Sequence, residues 1–349
     1  MDLRTRTIRR VIRTVALTGV AVGLLATSAS AAVKLTFDPF AHELPEGIAL
    51  DRHGNMFVTL APLGEIREIA VDGTQSTFAR VSPPGQGFGA LGLAFDERGK
   101  LFVAVATFDP ATTGVYEVRR NGTAVRIPGS DQIGLPNGLA FGEDGTLYVT
   151  DSSNGAIWRL HVGDDRRDDR DDRRHDADDR RAEGPATTLW IKDPLLAGNG
   201  QFGLPAPLGA NGIAIRDDNV YVAVTETGRI VRIPIADDGL AGTPKTVADG
   251  PGLLGADGIE FDVRGNLYVA VNSQNTLVRL APDGSSTTLA TAADGLDNPA
   301  SPVFGSRRGD RETLYVTNFA FSHTNPADAH PGVLSFRLDV AGAHGDDHD

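Results

Sequence analysis

A short β unit written six times over leaves this chain few ways to fold. Its clearest copy is Leu135-Pro136-Asn137-Gly138-Leu139-Ala140-Phe141, an Asp144-Gly145 turn, and Leu147-Tyr148-Val149-Thr150-Asp151. The pattern predicts a short apolar strand, a tight turn and a second strand of aromatic and β-branched residues. The unit recurs at residues 44–50 with 55–59, 91–95 with 100–104, 211–215 with 219–223, 257–261 with 266–270, and in worn form at 300–304 with 313–317. Third strands are expected at 156–160, 229–233 and 276–280, and a fourth at 286–290. No such unit can cover its own apolar face, so neighbouring copies must cover it. Four strands repeated at a period of roughly 45 residues predict an all-β protein, a six-bladed β-propeller of four-stranded antiparallel blades.

The ends of the chain complete that reading. A lone strand at 35–40 precedes the first repeat, and the last repeat stops after its third strand at 332–338. If the N-terminal strand becomes the outer strand of the last blade, the ring closes without an exposed edge. Closed repeat folds exceed the usual domain size as single units, so 349 residues need no second domain.

Three segments fall outside the repeats. Residues 1–32 hold Arg4, Arg6, Arg9, Arg10 and Arg13, then an apolar run from Val15 to Ala26 and small residues through Ala32. This is a secretory signal peptide with cleavage expected near Ala31 or Ala32. Its apolar run is short for a membrane anchor, and Arg9-Arg10 raises twin-arginine export as an alternative route. Expected localisation is periplasmic or extracellular, with no membrane attachment after cleavage. The propeller should span 33–340, interrupted in blade three by an Asp/Arg insertion at 163–184. From Asp164 to Glu183 seven arginines nearly balance ten acids, a composition that cannot bury apolar surface and reads as disordered. Residues 341–349 form a polar tail.

Charge and cysteine content exclude several functions. The formal net charge is −13, and removing an arginine-rich leader makes the remainder more acidic still. That argues against nucleic acid or anionic membranes as partners. With no cysteine, disulfides, thiolate catalysis and cysteine-zinc sites are ruled out.

In a propeller the first strand of each blade lines the channel, so one position repeated around the ring converges on the axis. The residue before the repeated glycine reads Glu46, Leu91, Asn137, Asn211, Asp257 and Ala300. That brings two carboxylates and two amides to one space, and the two carboxylates repel unless something positive lies between them. Oxygen donors without sulfur or imidazole suit a hard cation, Ca²⁺ first, with Mg²⁺ or Mn²⁺ as alternatives. The plainer reading is that Asn and Asp before Gly cap turns; it accounts for Asn137 and Asp257 but not for Glu46. No Gly-x-Ser-x-Gly elbow suggests a serine nucleophile.

Pro45-Glu46-Gly47, Asn137 in blade three, Asn211-Gly212 and Asp257-Gly258 resemble the senescence marker protein/gluconolactonase family. The similarity spans roughly 35–340. It implies a six-bladed propeller that hydrolyses sugar lactones and related esters with one divalent metal, Zn²⁺ joining the alternatives to Ca²⁺. It further implies Glu46, Asn211 and Asp257 as metal ligands, Asp257 as general base, and Asn137 against substrate or water. The expected partner is a small-molecule lactone or ester, and the expected state a monomer. Two departures stand out. The first blade lacks that family's Gly-Glu-Gly-Pro-type motif, and no basic residue answers to the one that meets sugar hydroxyls.

A second reading is a non-catalytic exported propeller binding a protein or glycan, with a structural calcium. Strictosidine-synthase-like and antibiotic-lyase-like propellers share the architecture, but a lyase would want channel histidines, and His42 and His53 only flank the first strand. Strand parity places the ring on the face of the second-to-third-strand and inter-blade loops, including 108–110, 198–202 and 319–323. The insertion should leave from the opposite face.

Overall fold

The computed structural model describes residues 31–162 and 186–343. The leader up to residue 30, the insertion expected at 163–184 and the tail from 344 lie outside the described residues.

Six four-stranded sheets make the six blades. Blade one is Pro45–Leu50, Met56–Leu60, Glu65–Ile69 and Gln75–Arg80; blade two is Gly89–Phe95, Leu101–Ala106, Gly114–Val118 and Ala124–Arg126. Blade three is Pro136–Phe141, Leu147–Asp151, Ala156–Leu160 and Thr187–Lys192; blade four is Ala210–Arg216, Asn219–Val224, Arg229–Pro234 and Lys245–Asp249. Blade five is Ala256–Phe261, Leu267–Val271, Thr276–Leu280 and Ser286–Ala290. Blade six is Pro299–Phe304, Thr313–Asn318 and Gly332–Arg337, completed by Ala31–Thr36. That closing strand runs antiparallel to the third, with Ala31 opposite Phe336 and Thr36 opposite Gly332. The closure is as the sequence predicts, but the strand lies at 31–36 rather than 35–40, where Pro39 starts a 3₁₀ turn capped by Asp38. The helices among the described residues are single 3₁₀ turns of three residues, and none is long and apolar enough to cross a membrane.

The core lies between blades, and the repeated aromatics explain how. The second-strand Phe57 meets Phe95 at the end of the next blade's first strand, edge to face at 5.2 Å. Phe102 with Phe141, Tyr221 with Phe261 and Tyr268 with Phe304 repeat the contact at 5.4, 4.9 and 5.4 Å. Edge-to-face pairs add about 0.5–1.5 kcal/mol beyond the area they bury. The repeat therefore encodes the joint between blades as much as the blade.

Turns sort by face. First-to-second-strand turns are closed by an aspartate: Asp51 accepts from the His53 and Asn55 amides, and Asp262 from those of Arg264 and Asn266. The insertion leaves from this same face, where the His161 N–H meets Ala186 O at 2.8 Å and pins its two attachment points together.

Candidate functional site

Every first strand opens with a break in its ladder. Register slips between Pro45 and Ile48, Ala90 and Leu93, Pro136 and Leu139, Ala210 and Ile213, Ala256 and Ile259, and Pro299 and Pro302. The ring residues Glu46, Leu91, Asn137, Asn211, Asp257 and Ala300 all sit inside these breaks. A bulge of this kind re-aims a side chain out of strand alternation.

The glycine that follows has a steric reason. A Cβ would lie 2.4 Å from Leu91 O on Gly47, 2.4 Å from Asn137 O on Gly92, and 2.5 Å from Asn211 O on Gly138. On Gly212 and Gly258 it would lie 2.1 Å from Asp257 O and 2.6 Å from Ala300 O. Five of the six ring carbonyls thus nest against the glycine of the preceding blade. Second-strand threonines reinforce the joint: Thr59 Oγ1 donates to Leu91 O at 2.9 Å and Thr150 Oγ1 to Asn211 O at 2.7 Å.

A second tier of polar residues, just beyond the second strands, sets the ring side chains. Asn137 Nδ2 donates to Ser152 Oγ at 3.3 Å, while Ser152 Oγ donates to Ala210 O at 2.6 Å. Asn211 Nδ2 donates to Thr225 Oγ1 at 3.0 Å, and Thr225 Oγ1 to Ala256 O at 2.8 Å. Asp257 Oδ2 accepts from Asn272 Nδ2 at 3.3 Å, which also approaches Asn298 O at 3.3 Å. Each of the three grips its own ring residue and the next blade's backbone. Blade one has Ala61 in the matching place, which can donate nothing.

Glu46 is therefore left alone. It is buried, and its Oε2 has no hydrogen-bond partner. Loss of water pushes its pKa well above the usual carboxylate range, and the nearby charge of Asp257 pushes it further. Burial likewise raises Asp257 to about 7, against the opposing amides of Asn211 and Asn272. Two buried carboxylates that each discourage the other's charge are what a divalent cation reverses. The orphaned Oε2, the second carboxylate and the neighbouring amides form an all-oxygen set that fits a hard ion. Among the described residues, no three histidine, cysteine or acidic side chains converge on a point. Such an ion would thus rely on amide and water oxygens for the rest of its shell.

The four polar ring residues, expected from the sequence to share one space, lie on one tier of the channel, buried to similar degree. Ser152, Thr225 and Asn272 had no place in the sequence reading. They follow the repeated second strands, but their residue types differ and each looks like an ordinary turn residue. Asp297 also escaped it: buried, it accepts from His323 Nε2 at 2.8 Å and from the His330 N–H at 2.8 Å. The far end of the channel is a cavity of about 1870 Å³ that begins at Gly92, Gly138, Gly212 and Gly258 and opens on the turn face. The polar ring side chains do not line it, so they serve the loop face.

A family model described as SMP-30/Gluconolactonase/LRE-like region matches residues 92–185 and 207–320. These spans hold Asn137, Asn211 and Asp257 and leave out Glu46. A calcium-binding protein, regucalcin, from Agrobacterium tumefaciens superposes with a TM-score of 0.62 at 17% identity, over 89% of this chain and 95% of the other. A gluconolactonase from Xanthomonas campestris gives 0.59 at 15% identity, over 89% and 96%. Virginiamycin B lyase from Staphylococcus aureus gives 0.52 at 15% identity, over 82% of each chain. Proteins of quite different chemistry thus share this architecture, and likeness at such identities speaks for the fold alone. Among curated proteins, none matches the sequence.

Proposed function

The chain belongs to the SMP-30/gluconolactonase/LRE-like family, and on that premise we propose that it is a divalent-cation-dependent hydrolase of lactones or related esters. One observation carries the reading: the buried Glu46–Asp257 pair, with Glu46 Oε2 lacking any partner. Glu46, Asn211 and Asp257 would hold the ion, Ca²⁺ by donor chemistry, with Mg²⁺, Mn²⁺ or Zn²⁺ as alternatives. When bound, such an ion polarises a carbonyl and makes water more acidic.

The chain's own groups supply the remainder. The Asp257 carboxyl accepts from Asn272, at Oδ2 and 3.3 Å, and from the Asn211 amide, and is the group that would take the proton of an attacking water. In the ion-free protein burial holds the Asp257 proton up to about 7; an ion beside it would favour the carboxylate form, which is the form that accepts a proton. Asn137 spends Nδ2 on Ser152, so its amide oxygen can accept a hydrogen bond from water or substrate. Glu46 balances charge and keeps Asp257 company at the ion. The leader at residues 1–32 supports an exported enzyme, periplasmic or extracellular, acting on a small molecule as a monomer.

The test is elemental analysis after dialysis, followed by a lactone and ester panel with and without chelator. Turnover that vanishes with chelator and returns with Ca²⁺ is the expected result. A protein that retains its ion yet turns over nothing would instead be a binding propeller whose calcium is structural.

A further inference from the structure

The ring is not polar all the way round. Its apolar positions, Leu91 and Ala300, belong to blades two and six, which flank Glu46 of blade one. Those same two blades carry aromatic pairs on the loop face. Phe88 and Phe108 bracket the first two strands of blade two, their centroids 5.3 Å apart at 64°. Phe319 and Phe321 follow the second strand of blade six, 5.0 Å apart at 46°. Phe108 and Phe321 are 47% and 51% exposed, so one face of each pair is open to a ligand.

The backbone is bent against preference to hold them. Phe108 has φ 63° and Ala320, between the other two phenylalanines, has φ 50°. The left-handed region is costly for residues with a Cβ and concentrates at functional sites. Ala320 is fixed there by its N–H to Asp297 O, and Phe319 by its N–H to Asn298 O, both at 3.0 Å.

Phe319 also reaches past its own blade. Its backbone belongs to blade six, yet its ring packs against the buried cluster that runs from Ala61 of blade one through Leu91 of blade two to blade three. The side chain thus enters the loop-side mouth beside the ring. The wall is also tied to the reactive carboxylate. Asn298 Oδ1 accepts from Ser322 N and Oγ at 3.1 and 2.7 Å, and the Asn298 carbonyl meets Asn272, the residue that holds Asp257.

Cations are missing from this mouth. The loops at 82–88, 107–113, 193–209 and 319–331 contain no lysine or arginine. Arg126, at the rim of blade two, is engaged by the carbonyls of Pro110, Ala111 and Thr113 at 2.7, 3.1 and 3.2 Å. These loops thus offer no lysine or arginine to a row of sugar hydroxyls, and the histidines among them, His323 and His330, face Asp297.

We propose that Phe88, Phe108, Phe319 and Phe321 form an apolar subsite beside the ring, so that the protein takes lactones or esters bearing an alkyl or aryl substituent rather than polyhydroxylated sugar lactones. This deepens the hydrolase reading and rests on it for the reaction. The substituent would lie on the open faces of Phe108 and Phe321, with its carbonyl toward Glu46 and Asp257. Each methylene so buried favours binding by about fourfold.

The test compares δ-decanolactone, unsubstituted δ-valerolactone and δ-gluconolactone as substrates, in the wild type and in Phe108→Ala and Phe321→Ala. Both side chains are half exposed, so truncation leaves the core untouched. Calorimetry with 5-hydroxydecanoate and with gluconate measures binding without catalysis. The expected result is a decanolactone-to-valerolactone ratio in kcat/KM above about tenfold that collapses toward one in the variants. Preference for gluconolactone, or a ratio unchanged in both variants, overturns the subsite while leaving the hydrolase reading intact. Hydroxydecanoate binding that either variant abolishes, with no turnover of any lactone, keeps the subsite and removes the hydrolase. Absence of both binding and turnover overturns the two together.

Discussion

Thr317 Oγ1 of the last blade donates a 2.6 Å hydrogen bond to the carbonyl oxygen of Glu46 in the first, and accepts one from Ser301 N at 2.9 Å. The residue that most needs an ion is therefore positioned by the far end of the chain. Thr317→Val keeps the shape but strands two buried backbone groups, at about 1–3 kcal/mol. Denaturant unfolding should show that loss, and Thr317→Ser should recover most of it. A valine variant as stable as wild type would remove the threonine joint from the account.

Asp257 and Glu46 should fail differently. Asp257→Asn retains an oxygen ligand but cannot accept a proton, so turnover should fall by about two to four orders of magnitude. Glu46→Gln weakens the grip on the ion, so excess Ca²⁺ should restore much of its rate. Excess ion should do nothing for Asp257→Asn. Full rescue of that variant by added metal would end the case for Asp257 as base.

Stability of the metal-free protein should fall with rising pH. In the unfolded chain both carboxylates ionise near pH 4, while in the folded protein Asp257 holds its proton up to about 7 and Glu46 is also raised. The folded state thus binds more protons over that window. Its stability is fullest below pH 4 and is lost as pH rises through 7. Thermal midpoints measured in chelator should drop from pH 5 to pH 8, and Ca²⁺ should abolish the drop. The decline should shrink in Asp257→Asn. A chelated wild type whose midpoint is flat or rising over that range would contradict a buried, mutually repelling pair.

Gly212 offers a steric test against a neutral partner. A methyl there would press within 2.1 Å of Asp257 O and 2.7 Å of Gly258 Cα, whereas Gly252 has nothing within 4 Å of its Cβ position and no left-handed φ. Gly212→Ala should destabilise the fold and weaken metal affinity by shifting Asp257. Gly252→Ala should be neutral or slightly stabilising, since it restricts the unfolded chain. Equal behaviour of the two would mean that the ring is not close-packed at its glycines.

The blade count, the closing strand and the polar ring were all legible because their causes recur in the sequence. The glycine after each ring residue is demanded by the next carbonyl, so it marks the same place in five blades. The inter-blade aromatics and the alternation of the strands repeat for equally local reasons. Ser152, Thr225 and Asn272 were not legible, because each forms its bonds across a blade boundary and different residue types serve the same role. Thr59, Thr150 and Thr317 stood in plain view but looked like ordinary strand formers. The aromatic mouth depends on loops that share no pattern, and on Phe319 leaving its own blade for the cluster that holds Leu91.

The closing strand also dictates the order of events when the protein folds. Blades one to five can form from contiguous chain, with short loop closures except at the insertion of blade three, whereas Ala31–Thr36 must find Gly332–Arg337 at the opposite terminus. Contacts so distant in sequence form slowly and late. The Thr317–Glu46 joint spans 271 positions, so the polar ring is complete only when the circle shuts. Ion capture would then time-stamp that last step, and a divalent cation added during refolding should speed arrival at the sealed state only by trapping it.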